Sequence, residues 1–186
     1  MEINETKLIY DCQKGQLESF APLYDKYIGK IYAFLFSRSG SKELSEDLCS
    51  QTFLKALRSI SQFKAEDNYF SAWLYKIARN NLIDHYRQSK DTLDIDSVWS
   101  LASDQKIEEE ADKDLKLEKV KKYLSVLDTE QREIVVLKVW DELSYQEISE
   151  IMGKSVNNCK VIFSRSLKKL KQEMPLSLFI LFLLNL

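Results

Sequence analysis

The 186-residue chain predicts an all-α fold: two small helical domains joined by an acidic linker. Three observations carry this prediction. Only four Gly and two Pro leave too few turn residues for a sandwich or barrel. Apolar side chains recur with helical period in two blocks, residues 6–90 and 115–174, and then in an apolar tail, 175–186. Between the blocks, residues 91–114 lose the period and carry nine acidic side chains against two basic ones. That stretch reads as a linker, flexible or transiently helical. The formal net charge of −2 therefore hides two mildly basic blocks: 13 basic against 11 acidic residues over 1–90, and 12 against nine over 115–186.

In the first block, Ser19 or Glu18 can open a helix with Pro22 in its first turn, where a missing N–H matters little. Phe20, Leu23, Tyr24, Tyr27, Ile31, Phe34 and Leu35 keep the helical period until residues 37–41, with Gly40, break it. A second helix is expected over about 43–63. Its buried stripe is Leu44, Leu48, Thr52, Ala56 and Ile60, widened by Cys49, Phe53 and Leu57. Residues 64–69 form a polar loop. A third helix is expected from about Ser71 to Gln88. Leu74, Ile77, Ala78, Asn81, Leu82 and His85 share one side; Trp73, Lys76, Arg79, Asn80 and Arg87 lie toward the other, flanked by Tyr75 and Tyr86. Basic groups interleaved with aromatics suit a single nucleic-acid strand, since charge follows phosphates and rings stack on bases. For Tyr75 and Tyr86 an ordinary core position is an equal alternative. His85, the only histidine, reads as a core residue. Within the linker, Trp99 and Leu101 are apolar exceptions that suit local docking.

The second block begins with a helix over 115–126. Asp128 or Thr129 caps another over about 130–140. A helix-turn-helix signature follows over 143–155. Ser144 caps its first helix and Glu147, three residues on, completes a capping box. Gly153 supplies the turn, and a new helix starts at Val156. On this helix Cys159, Phe163, Leu167 and Leu170 face inward. Asn157, Asn158, Val161, Arg165, Lys168 and Lys169 face outward, with Ile162 at the edge. Residues 154–174 hold six basic side chains and one acid. Arg suits guanine and Asn adenine in the major groove; Lys154, Lys160, Lys168, Lys169 and Lys171 suit phosphates. A solvated basic helix is the alternative; cap, turn and spacing together favour duplex DNA.

No catalytic constellation, phosphate-binding glycine loop or metal-ligand spacing is present, so no enzyme activity, cofactor, metal or small-molecule substrate is expected. Cys12, Cys49 and Cys159 are odd in number and widely spaced, as small buried thiols are. No signal peptide opens the chain, which predicts a cytoplasmic protein. The apolar run over 176–186 is shorter than the about 20 residues a membrane-spanning helix needs. Packing on its own domain, a partner contact or a membrane surface would each suit it.

Residues 45–57, 70–87 and 143–170, in this order, resemble the extracytoplasmic-function sigma factors, initiation subunits of bacterial RNA polymerase. The resemblance covers about residues 6–174 and implies sigma region 2 over 6–90, the linker over 91–114 and sigma region 4 over 115–174. It implies that Asp47, Gln51, Leu54, Lys55 and Arg58 dock on core polymerase. It implies that the 64–69 loop, with Lys64, Asp67, Asn68 and Tyr69, captures a flipped base of the minus-ten element, beside Trp73, Lys76, Arg79 and Asn80, which melt and hold the strand. Asn157, Asn158, Lys160, Val161, Ile162, Arg165, Lys168 and Lys169 would read the minus-thirty-five duplex. By the same resemblance the acidic linker threads the polymerase channel. Core RNA polymerase and promoter DNA, duplex and single-stranded, are the implied partners, with an anti-sigma factor as a further candidate. Ser149 replaces the usual Ala, Asn157 and Asn158 the usual Gly-Thr, and Ile162 a commonly polar residue. These departures bear on the upstream sequence that is read, and Val161 and Ile162 offer apolar contacts to thymine methyls. Two rival readings are a stand-alone helix-turn-helix regulator and a membrane-attached adaptor. Both leave the Trp73 helix and the Asp47 face unexplained.

Overall fold

The computed structural model describes residues 4–64, 69–89 and 123–183. These form eight α-helices and no strand among the described residues, as an all-α chain requires. The chain divides into two compact units, Met1–Leu93 and Asp94–Leu186.

In the first unit, α1 (Glu5–Gln13) is capped by Asn4, whose Oδ1 accepts from the Lys7 N–H at 3.1 Å. A 3-10 turn, Leu17–Phe20, leads into α2 (Ala21–Ser39), with Pro22 in its first turn. Neither Ser19 nor Glu18 caps α2: the chain passes from one helical turn directly into the next, and Phe20, at the cap position, has helical backbone angles. Gly40 ends α2 at φ 65°, and its N–H reaches the Phe36 carbonyl at 2.9 Å. Glycine takes this left-handed conformation without a Cβ clash. Ser41 then caps α3 (Lys42–Ser59), accepting from the Leu44 N–H at 3.3 Å. A 3-10 turn, Ile60–Gln62, closes it, and α4 spans Phe70–Ser89.

Helices α2, α3 and α4 pack on one another around Leu23, Ile31, Phe34, Leu35, Leu48, Ala56, Leu74 and Tyr75. Full burial of each such aliphatic or Phe side chain contributes about 1.5–3 kcal/mol. The predicted α3 stripe is buried at Leu48, Cys49, Thr52, Phe53, Ala56 and Ile60 and half-buried at its edges, Leu44 and Leu57. On α4, Leu74, Ala78, Asn81 and Leu82 are buried and Ile77 half-buried. Tyr75 and Tyr86 are both core residues. The Tyr75 ring meets Phe34 edge-on at 5.0 Å. His85 corrects the sequence reading: it is exposed. It lies at an inward angle but in the last turns of α4, where the longer Tyr86 beside it is the side chain that stays covered.

In the second unit the described chain starts at the end of the expected 115–126 helix. Leu124 is helical and Val126 already lies in a turn. Arg132 holds that turn from outside, its Nε donating to the Leu124 carbonyl and an Nη to that of Leu127, both at 3.0 Å. Asp128 caps α5 (Thr129–Val139) in a full capping box with Gln131. Ser144 and Glu147 form the predicted box on α6 (Tyr145–Met152). Gly153 turns the chain at φ 65°, and Ser155 caps α7 (Val156–Glu173). The apolar tail forms α8 (Leu176–Leu183). Phe179 and Phe182 are buried, and the Phe182 ring lies 5.4 Å from that of Trp140, so the tail packs on its own unit. The acidic stretch 91–114, with Trp99 and Leu101, lies outside the described residues, as do Asp67 and Asn68.

Candidate nucleic-acid interface

Helix α7 presents its two faces as the period demands. Cys159, Phe163, Ser166 and Leu170 are buried and Leu167 half-buried; Asn157, Asn158, Lys160, Val161, Arg165, Lys168 and Lys169 are exposed, with Ile162 half-buried between them. Ser166 enters the apolar side at little cost because its hydroxyl donates to the Ile162 carbonyl at 2.8 Å. The helix sits on α6 through Phe163, whose ring meets Tyr145 edge-on at 6.0 Å. Val161 is 45% exposed, an apolar side chain held in solvent amid polar ones. Among the described residues no hydrogen bond or ion pair engages the side chains of Asn157, Arg165, Lys168 or Lys169. Two expected phosphate ligands are less open. Lys154 pairs with Glu130 at 3.0 Å, and Lys160 lies over the Tyr145 ring, 5.7 Å from its centroid.

The second cluster lies on the first unit. Trp73, Lys76 and Asn80, spaced i, i+3 and i+7, share one stripe of α4. Lys76 and Asn80 are exposed, Trp73 and Arg79 half-buried. Trp73 does not stand alone: its ring lies 4.9 Å from Phe63 and 5.6 Å from Phe70, and those two meet edge-on at 5.7 Å. Phe63 and Phe70 flank residues 64–69 and are buried, whereas Lys64 and Tyr69 are exposed. The arrangement is an aromatic wall with cations beside it, and stacking on such a ring contributes about 1–3 kcal/mol per base.

The third cluster runs along α3. Asp47, Gln51, Leu54, Lys55 and Arg58 are all exposed on one stripe. Leu54 is 52% exposed. Gln51 donates to Asp47 at 2.8 Å. Lys55 donates to the Oδ1 of buried Asn81, whose Nδ2 donates to Thr52 Oγ1 at 3.0 Å. This interhelical bridge, like the Phe63 and Phe70 backing of Trp73, depends on tertiary neighbours and had no local sequence signal.

The three thiols are buried. Burial pushes Cys49 up to about 11 and raises Cys12 and Cys159 as well, so none is a nucleophile near neutral pH. No group of three metal-ligating side chains converges among the described residues. No helix among them is long and apolar enough to cross a membrane.

Known proteins resemble this chain over both units. Residues 23–92 match the Sigma-70 region 2 family and residues 117–170 the Sigma-70, region 4 family. The chain is 32% identical over 174 residues to the ECF RNA polymerase sigma factor BldN of Streptomyces coelicolor, covering 91% of this chain and 65% of BldN. It is 30% identical over 185 residues to the ECF RNA polymerase sigma factor SigW of Bacillus subtilis, covering 94% of this chain and 98% of SigW. Among solved structures it resembles the sigma factor RpoE of Bartonella quintana, in complex with the anti-sigma factor NepR. That likeness has a TM-score of 0.61 and 26% identity, over 83% of this chain and 96% of that one. Two sigma regions in order, on helices that expose the stripes described above, place the chain by family: it belongs to the extracytoplasmic-function RNA polymerase sigma factors.

Proposed function

We propose that the chain joins core RNA polymerase, carries it to specific promoters and helps open the duplex, with each step assigned to its own surface. The α3 stripe from Asp47 to Arg58 docks on the polymerase. Trp73, Lys76, Arg79 and Asn80, with Lys64, Asp67, Asn68 and Tyr69 of the adjoining loop, take the unpaired strand of the minus-ten element. The outward face of α7 reads the minus-thirty-five duplex, Asn157, Asn158 and Arg165 at base edges, Val161 and Ile162 at methyl groups, and Lys160, Lys168 and Lys169 at phosphates. The sigma factors are not an enzyme family; on this reading the chain itself catalyses nothing, the polymerase supplies the chemistry, and the site of action is the cytoplasm. An anti-sigma factor is a further partner, as NepR is for RpoE.

The observation that supports this reading best is the exposed basic face of α7, with Arg165, Lys168 and Lys169 unengaged, opposite an apolar face buried at Cys159, Phe163 and Leu170. Burial of Phe179 and Phe182 removes the main support for a membrane adaptor. The test is run-off transcription with purified chain, core polymerase and fragmented genomic DNA of the source. New, chain-dependent transcripts are expected. Failure to associate with core polymerase at any salt or pH would overturn the reading.

A further inference from the structure

Helix α1 lies ahead of the residues that match region 2, yet one of its side chains reaches the base of the strand-holding loop. Gln13, half-buried at the end of α1, donates from Nε2 to the Ile60 carbonyl at 3.0 Å and to the Phe63 carbonyl at 2.7 Å. Both acceptors are backbone oxygens, so only the amide nitrogen, with its two N–H groups, can serve them. Carbonyls at a helix C-terminus lack intrahelical donors. Here the Ile60 carbonyl already accepts from the Phe63 N–H at 3.1 Å, and Gln13, 47 and 50 positions away in sequence, adds a second donor to it and supplies one to the Phe63 carbonyl.

The link continues to the candidate site. Phe63 is where the chain leaves the α3 turn for extended backbone, at φ −72° and ψ 129°. Its buried ring backs Trp73, and Lys64, next in sequence, opens the loop. Helix α1 is itself held at both ends. Glu5 pairs with Lys26 at 2.6 Å and accepts from the Tyr27 hydroxyl at 2.7 Å, while Ile9 and Cys12 are buried. The helix is thus a strut from α2 to the root of the loop.

We infer that Gln13 is a positioning residue for single-strand capture: it fixes the Phe63 backbone, and through it the Trp73 ring and Lys64. This rests on the reading of that loop and α4 as the strand-holding surface. An apolar side chain of the same length would fill the space but leave the Phe63 carbonyl without this donor, and the Ile60 carbonyl with the Phe63 N–H alone, at 3.1 Å.

The test uses holoenzyme reconstituted with the full chain carrying Gln13→Met, Gln13→Lys or Trp73→Ala. The probes are the labelled minus-ten single strand and the upstream duplex of a promoter recovered by run-off transcription. Gln13→Met is expected to lower single-strand affinity about tenfold and leave duplex affinity unchanged. Gln13→Lys restores an N–H donor and should recover most of the loss. Parental single-strand affinity in Gln13→Met, beside a loss in Trp73→Ala, would overturn the inference alone. Equal losses on both probes would reduce Gln13 to a general stability role and overturn it too. If Trp73→Ala also bound the single strand normally, the strand-holding reading itself would fall, and the inference with it.

Discussion

The outward face of α7 and the Trp73 stripe of α4, the two surfaces proposed for nucleic acid, both carry cations and polar groups, but they are built differently. The α7 face is a product of register: a capped helix with one buried side leaves the other free, and the side chains of Arg165, Lys168 and Lys169 hold nothing else in place. The α4 stripe is a product of interlock. Trp73 leans on Phe63 and Phe70, the Phe63 backbone is held by Gln13, and Asn81, on the inner side of the same helix, joins Lys55 to Thr52. The difference teaches that function and stability should separate on α7 and travel together on α4.

The largest effect expected is at the interlock. Phe63→Ala removes a ring that is 5% exposed and packed against two other aromatics, and should destabilise the first unit by about 3–5 kcal/mol. Amide hydrogen exchange at rising denaturant, read separately over the described residues of each unit, checks this. The second unit should unfold unchanged. A drop under about 1 kcal/mol would show that the aromatic wall is not interlocked and would break the comparison.

Asn81→Leu comes next. Asn81 is 3% exposed and bonded on both sides. Its loss leaves Thr52 Oγ1 without a donor, although that hydroxyl still donates to the Leu48 carbonyl at 2.7 Å, and frees Lys55 from α4. About 1–3 kcal/mol of stability should go, read as a lower urea midpoint for the first unit. An unchanged midpoint would mean that the bridge adds nothing beyond packing.

The same division governs what the sequence could reveal. Local rules suffice for α6 and α7: the Ser144–Glu147 box, Gly153 at positive φ and the inward set of Cys159, Phe163 and Leu170 all follow from spacing and turn chemistry. They suffice too for the Gly40 stop and the α3 stripe. They fail wherever a distant neighbour decides. The angle that places His85 inward holds, but the bundle no longer covers it there. Tyr75, open between core and stacking roles, is settled by Phe34 from another helix. The Gln13, Lys55 and Arg132 hydrogen bonds reach backbone or side chains that no helical period connects. Lys154 counts as a phosphate ligand by position alone, until Glu130 is found beside it.

On the register-built side, Arg165→Ala should weaken binding to the upstream duplex by about 1–3 kcal/mol and relax preference at one base pair. Its unfolding free energy should stay within about 0.5 kcal/mol of the parent, since the side chain is exposed and unengaged. Titration of promoter variants and a denaturant melt on the same preparation decide it. A destabilised Arg165→Ala would show that the α7 face, like α4, is interlocked.

Lys168→Ala should have the smallest effect and the most diagnostic form. A phosphate contact carries no base information, so affinity should fall by the same factor for every upstream sequence. Each phosphate-bound cation contributes about one unit to the slope of log affinity against log salt, and that slope should flatten by about 1. Lys154 supplies the internal contrast. Its ammonium is already paired with Glu130, so binding a phosphate there means giving up that ion pair, and Lys154→Ala should leave the slope close to the parental value. Equal flattening by both substitutions would mean that the Glu130 pair opens when DNA binds, and the α7 face would then extend past its Ser155 cap to Lys154, the first residue of the basic run.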